Sequence, residues 1–192
     1  MSSIKKKRCW WPGEKQLDIA YHDEEWGVPT HDDHKLFEFL VLEAFQAGLS
    51  WTTILKKREN FRLALDNFDA VKIASYNDDK VSELLQNPGI IRNKLKILST
   101  INNAKLFLEV QKEFGSFDNY IWQFTVGTTI KNNCKSMKDI PVNTPESDAM
   151  SKDLKKRGFK FVGTTICYAF MQATGMVNDH TIDCFRYDEV GN

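Results

Sequence analysis

Near the end of the 192-residue chain the stretch NDHTIDC, residues 178 to 184, sets His180 and Cys184 four positions apart. On a helical turn that spacing brings an imidazole and a thiolate to one face, where they can share a metal ion. The natural partners lie at the other end, in RCWWPGEKQLDIAYHDEEWG, where Cys9 and His22 stand thirteen positions apart. Together they make a Cys2His2 set. Four N and S ligands suit tetrahedral zinc and leave no open position for a water, so such a site would be structural and would clip the chain ends together. The alternative is that the histidines cap or pack in the ordinary way and the cysteines are small buried hydrophobes. His31 and His34, beside acids at a helix start, are expected to face solvent.

A second kind of chemistry is suggested by HKLFEFLVLEAFQAG, where Glu43 has Leu36, Phe39 and Leu40 behind it on one apolar face. A charged carboxylate there is costly unless it is paired or meets a ligand. It is either a proton-holding or cation-seeking group, or a structural carboxylate bonded to backbone donors or an arginine. In the AGLSW that follows, Gly48 breaks the helix and Ser50 begins the next. Leu49 and Trp51 are thereby left on a tight exposed corner, with Leu49 placed to act as a wedge. Trp11, Tyr21, Trp26 and Trp51 fall around the proposed ligands and the Glu43 helix. Rings and a carboxylate make a pocket suited to a flat, cationic ligand, although each ring alone is more often core.

The third feature is LLQNPGIIRNKLKI, residues 84 to 97, a helix end, a turn forced by Pro88 and Gly89, and a basic helix start. This is the shape of a helix-hairpin-helix element, whose turn N–H groups and following helix N-terminus meet DNA phosphates without reading bases. Arg92, Lys94 and Lys96 would add charge. A plain αα-hairpin fits the same stretch.

The elements that must carry these groups are helical almost throughout, because apolar residues recur at three and four with Gly, Pro and Asn between the runs. Helices are expected at about 33–47, 51–65, 70–75, 79–86, 91–113 and 117–124. A loop of about twenty residues follows, with 128–143 at its centre. Thr144 and Pro145 then start a helix that Gly158 stops, and another covers about 164–174. The fold class is therefore all-α, in a single unit spanning 1–192. The hairpin lies at about 79–113, and the ligand-bearing ends at about 8–26 and 176–186.

Composition narrows the setting. Hydrophobic residues make up 42% of the chain, enough for a packed core, and the four cysteines form no CxxC pair, which fits reduced thiols in a cytoplasmic protein. No run of eighteen apolar residues suggests a membrane span. The 26 basic and 26 acidic residues balance, so net charge gives no global signal for nucleic acid. Basic clusters at Lys5 to Arg8, Lys56 to Arg58, Arg92 to Lys96 and Lys152 to Lys160 are by default solvated faces.

Taken in order, CWW, AYHDEEWGVP, LEAFQAGLSW, ILKKRENFR, GIIRNKLKI, LKKRGFKFVGTTICYAFMQATG and NDHTIDC resemble the type I (constitutive) 3-methyladenine DNA glycosylase family, over about residues 8 to 184. The resemblance implies a helix-hairpin-helix DNA glycosylase-like fold with a zinc ion joining the termini through Cys9, His22, His180 and Cys184. It implies that Glu43 is the catalytic, base-binding carboxylate, with Trp11, Tyr21, Trp26 and Trp51 around the methylated base. It further implies that the corner at Gly48 and Leu49 inserts where the flipped nucleotide had stacked, and that Gln46, Gly89, Ile90, Arg92 and Lys94 contact the DNA. The partner would be alkylated double-stranded DNA, the product 3-methyladenine, and the protein a monomer.

Two features depart from the wider pattern. Asp18 stands where family members often have an aromatic, so one pocket wall is expected to differ. The superfamily's usual catalytic aspartate has no match, since no Asp occurs between Asp79 and Asp118. No lysine stands out as an amine nucleophile, so simple hydrolysis is expected and not a lyase reaction. Two rival classes remain: a DNA-binding module without chemistry, and a zinc hydrolase using His22 and His180. Base release from methylated DNA separates the first, and a closed four-ligand site the second.

Overall fold

The computed structural model describes residues 6–190, and Lys5 of the first basic cluster lies outside them. The helices are α1 (Gln16–Glu24), α2 (Asp33–Gln46), α3 (Trp51–Ala64), α4 (Ala70–Ala74), α5 (Asp78–Gln86), α6 (Lys94–Phe114), α7 (Phe117–Ile121), α8 (Pro145–Lys156) and α9 (Thr164–Ala173). The described residues are mostly helical, as expected.

The core is organised around α2. Its residues from Leu36 to Phe45 are all buried, Glu38 and Glu43 included, the mark of a helix enclosed by others on nearly every side. It packs against α3, α6, α7 and α9. Its start is fixed by Asp32, which accepts from the Lys35 N–H at 2.8 Å, and Asp33 accepts from the N–H groups of Phe117 and Asp118, both at 2.8 Å. A carboxylate that starts α2 therefore also caps α7. Ser50 caps α3 through the Thr53 N–H, Asn93 caps α6 through the Lys96 N–H, and Thr144 forms a capping box with Ser147 at the start of α8.

Four local differences from the sequence expectations have physical causes. Helix α1 was not anticipated, because its buried residues are Asp18, Tyr21 and His22, no aliphatic stripe runs along it, and Lys15 offers no side-chain cap. Helix α6 begins at Lys94 and not at 91, because Asn93 takes the cap position. The 128–143 segment contains a two-residue strand, β1 (Ile130–Lys131), paired in parallel with β2 (Val177–Asn178). This pins the loop beside the C-terminal ligand segment. Finally, His180 and Cys184 lie in successive turns and not on a helix; the extended β2 strand precedes them, and the His180 N–H donates to the Asn178 side-chain oxygen at 3.1 Å.

The basic clusters are also less uniform than expected. Arg58 is buried, donating to Glu38 at 2.7 Å and to both Glu25 oxygens at 2.8 and 2.9 Å, so it ties α3 to α2 and to the end of α1. No helix among the described residues is long and apolar enough to cross a membrane.

Candidate active site and metal centre

The two chain ends meet. Cys9, His22, His180 and Cys184 are all buried, and their ligand atoms lie within 4.8 Å of one another. Cys184 Sγ is 3.5 Å from both His22 Nε2 and His180 Nδ1, and Cys9 Sγ is 3.6 Å from His180 Nδ1. A tetrahedron with metal bonds of roughly 2.0–2.3 Å has edges of roughly 3.3–3.8 Å, so these separations fit one ion.

The surroundings fit as well. His22 Nδ1 is 2.8 Å from Asp23 Oδ1, and His180 Nε2 is 3.0 Å from the Trp26 carbonyl oxygen. Both partners are acceptors, so in each ring the outer nitrogen carries the proton. The inner nitrogen is left as a bare lone pair facing the cluster, the orientation that outer-shell acceptors give to metal-ligating histidines. The Thr181 N–H points at Cys9 Sγ from 3.5 Å. Arg8 forks onto Asp23, at 2.8 and 3.0 Å from Nε and 2.7 Å from Nη2. The set can hold a metal ion with all four positions filled by protein.

Beside this cluster, and sharing a wall with it, is a cavity of about 210 Å3. It is lined by Trp10, Trp11, Tyr21, Trp26, Glu43, Gln46, Trp51, Ile140, Ala169 and Gln172. The shared wall is aromatic: Trp11 lies edge-on to Trp26 at 5.2 Å and to His22 at 5.4 Å, and Trp26 lies edge-on to His180 at 4.6 Å. Tyr21 and Trp51 complete the ring, 5.3 Å apart. Helix α1 carries Tyr21 and His22 as neighbours, one for each site. The short helix without an aliphatic stripe is thus shaped by the two sites it serves.

Glu43 is 4% exposed, and its Oε2 has no hydrogen-bond partner. The Trp11 and Trp51 indole N–H groups are also buried without partners. Of the five such side-chain atoms among the described residues, these three line one cavity, whereas native interiors pair nearly all their buried polar groups. Burial, with no cation to offset it, pushes the Glu43 carboxyl up to about 8. Burial also raises Tyr21 well above the usual phenol value, with the Glu43 charge adding to the effect. The reading of Glu43 as a carboxylate paired with an arginine or with backbone donors is therefore not met. What the cavity can do chemically is hold a flat ring that offers hydrogens to a carboxyl and acceptors to two indoles.

The matching family model is that of methyladenine glycosylases, aligned over residues 11–187. The chain belongs to the methyladenine glycosylase family. A relative named DNA-3-methyladenine glycosylase 1, from Escherichia coli (strain K12), is 50% identical over 181 residues, covering 94% of this chain and 97% of its own. Among solved structures, a 3-methyladenine DNA glycosylase I superposes with a TM-score of 0.91 at 52% identity, covering 93% of this chain and 98% of that one. A variant of a 3-methyladenine DNA glycosylase I in complex with 3-methyladenine superposes with a TM-score of 0.92 at 31% identity, covering 96% and 99%.

Family resemblance had suggested more residues than the cavity uses, and it missed others. Trp11, Tyr21, Trp26, Glu43 and Trp51 all line it. So does Gln46, which had been assigned to DNA contact. Asp18 does not: it is buried, accepts a 2.9 Å hydrogen bond from Thr52 Oγ1, and ties α1 to α3. The expectation that Asp18 alters a pocket wall is therefore not met; at the cavity's exposed side the lining includes Trp10, 44% exposed, and Ile140 from the 128–143 loop. Trp10, Ile140, Ala169 and Gln172 were not anticipated. Only the tryptophan doublet in CWW hinted at any of them.

The corner after α2 is as expected for Gly48 and Leu49 but not for Trp51, which is half-buried with its indole nitrogen buried in the cavity wall. Gly48 has φ +80, a conformation L side chains rarely adopt, and Leu49 projects 41% exposed. Of the hairpin residues, Arg92 and Lys94 are exposed and Gly89 is half-buried, while the Ile90 side chain is in the core. Any contact made by Ile90 with a partner is therefore through its main chain. Lys96 is not a surface charge. It is 6% exposed, and its ammonium donates to the carbonyls of Phe45 and Ala47. His31 and His34 are exposed, as expected; the first lies 2.8 Å from Asp118 Oδ1 and is stacked on Trp122.

Proposed function

We propose that this protein excises 3-methyladenine from alkylated double-stranded DNA by hydrolysis of the N-glycosidic bond, the first step of base-excision repair. The observation that carries the reading is the trio of buried, partnerless polar atoms, Trp11 Nε1, Glu43 Oε2 and Trp51 Nε1, on residues that line one aromatic cavity. Family membership and the 3-methyladenine bound by a structural neighbour accord with it.

A purine cannot enter this cavity from within a duplex, so the lesion must be turned out of the stack. The exposed corner Gly48–Leu49 fills the space it leaves, with Gln46 between corner and pocket. The phosphates are held by the α5–α6 turn at Gly89 and Ile90 and by the charges of Arg92 and Lys94, in the manner of a helix-hairpin-helix element. Methylation at N3 makes the nucleobase a cation and a good leaving group, so strong protonation of the base is unnecessary. The rings favour the cation by their negative faces, and Glu43 accepts hydrogen bonds from its amino edge.

Glu43 gains a further role from its environment. Empty, the pocket holds the carboxyl largely protonated at neutral pH; a cationic base supplies the missing partner and favours ionisation. Unmodified adenine brings no charge and does neither. As the bond opens, the carboxylate and the DNA phosphates stabilise the positive charge developing on the sugar, and water attacks. The cavity offers no amine nucleophile, so no lyase step follows.

The Cys2His2 set suits zinc, held by Cys9, His22, His180 and Cys184. With four protein ligands it would stabilise the junction of the chain ends and, through Trp11 and Trp26, one pocket wall; no chemical step needs it. This argues against the zinc-hydrolase reading. The protein would act as a cytoplasmic monomer. The test is chromatography of bases released from N-methylated duplex DNA, with chelator present in one arm. Release of 3-methyladenine in both arms is expected. No release by folded protein would leave a DNA-binding module in its place.

A further inference from the structure

Two lysines that sequence reading assigns to solvated or DNA-facing positions have their ammonium groups on backbone carbonyls. Lys96, in the first turn of α6, donates at 2.7 Å to the carbonyl of Phe45 and at 2.6 Å to that of Ala47. Those carbonyls belong to the last turn and cap of α2, which has no basic residue in its own last turn. The end of α2 is thereby satisfied by a cation from another helix, which favours its negative dipole end. Lys57, on α3, donates at 2.9 Å to the carbonyl of Pro88 and at 3.2 Å to that of Gly89.

These two sets of bonds bracket the exposed corner. Helix α2 runs into Gly48 and Leu49, and α3 leaves from them. On the near side the corner is tied to the helix that follows the hairpin turn; on the far side it is tied to the turn itself. The turn also sits tightly on α3, since a Cβ added at Gly89 would come within 2.9 Å of Asn87 Oδ1 and 3.2 Å of Asn60. Burial lowers the Lys96 pKa, as expected of a cation removed from water.

We infer that Lys96 and Lys57 are positioning residues that lock the backbone-gripping turn to the Leu49 corner, so that docking on phosphates places the wedge at the lesion. This rests on the glycosylase reading above and extends it. A rigid coupling matters because the wedge must enter the stack at a fixed distance from the phosphates held by the turn, and a displacement near 1 Å can cost roughly a hundredfold in rate. Neither lysine would then be a phosphate contact, although both are basic and lie beside a DNA-facing element.

The distinguishing measurement is Lys96→Met assayed in four ways: thermal unfolding, binding to unmodified duplex as a function of salt, fluorescence of a duplex carrying 2-aminopurine as a flippable adenine analogue, and single-turnover release of 3-methyladenine. Each phosphate contact contributes about 0.9 to the slope of log K against log salt. The expected result is an unchanged salt slope, a fluorescence rise on binding much smaller than that of wild type, and release slowed at least about tenfold. Binding of free 3-methyladenine should stay as in wild type, since the lysine does not line the cavity. A salt slope lower by about one would overturn the inference and make Lys96 a phosphate contact. Unchanged flipping and release, or loss of free-base binding, would also overturn it. Should Lys96→Met fail to fold, Lys57→Met, at a less buried site, carries the same test with a smaller expected effect. If wild-type protein releases no 3-methyladenine, the underlying glycosylase reading fails instead, which is a separate outcome.

Discussion

The Cys2His2 cluster and the pocket are built from adjacent residues and share Trp11 and Trp26, yet they treat their polar atoms in opposite ways. In the Cys2His2 set each inward atom faces another ligand atom, and each outward histidine nitrogen meets an acceptor. In the pocket a carboxyl oxygen and two indole nitrogens are buried without hydrogen-bond partners. A closed set holds a structure together, and an open one waits for a ligand. In the proposed reading the first site serves stability and the second recognition, although either could have been read as catalytic from residue types alone.

The largest expected effect would come from opening the closed set. Cys9→Ala leaves three ligands and should lower unfolding free energy by more than about 4 kcal/mol, read by denaturant titration beside metal content by mass spectrometry. Protein that keeps one metal per chain and full stability would erase the contrast. Next is removal of the open site's carboxyl. Glu43→Gln should slow single-turnover base release by about a hundredfold while leaving a folded protein with an intact metal centre.

The same substitution sharpens the comparison through pH. The folded Glu43 value, about 8, lies above its ordinary 4.5, so the stability tied to this group is fully present below 4.5 and is lost as pH rises through 8. Glu43→Gln removes that dependence. At pH 8.5 it should therefore be more stable than wild type, by roughly 3–5 kcal/mol if the group is as isolated as it looks. Near pH 4.5 the two should agree. Equal pH profiles would mean that Glu43 has a partner. The smallest effect is expected at the mouth, where Trp10→Ala should weaken binding of 3-methyladenine about fivefold with unfolding unchanged, as befits one partly exposed stacking surface.

How much of this could be read in the sequence followed from how local each signal was. Helix α2 was legible because its run is apolar on nearly every side, and Glu43 because it is one of two acids, with Glu38, inside that run. The Gly48 corner was legible from a helix breaker followed by a capping serine. The ligand pairs were legible as halves, and the fold alone brings them together. Helix α1 was hidden because its burial is provided by Tyr21, His22 and Asp18, which make no aliphatic stripe. The mouth was hidden because Trp10 gains its role only when the 128–143 loop, pinned by the β1–β2 pair, brings Ile140 alongside. The direction of a lysine is likewise not local. Lys96 reads as surface charge and becomes an interior cap only because the end of α2 arrives beside it.

The central claim is that Glu43 stands alone in the pocket until a methylated base meets it. Its most direct test is 13C NMR titration of the carboxyl in protein labelled at glutamate, with the Glu43 signal assigned by its absence from Glu43→Gln, before and after addition of 3-methyladenine. The account predicts a midpoint of about 8 in the free protein, moving down when the base donates hydrogen bonds to the ionised form. A midpoint in the ordinary carboxyl range, or one that the base leaves unmoved, would contradict it.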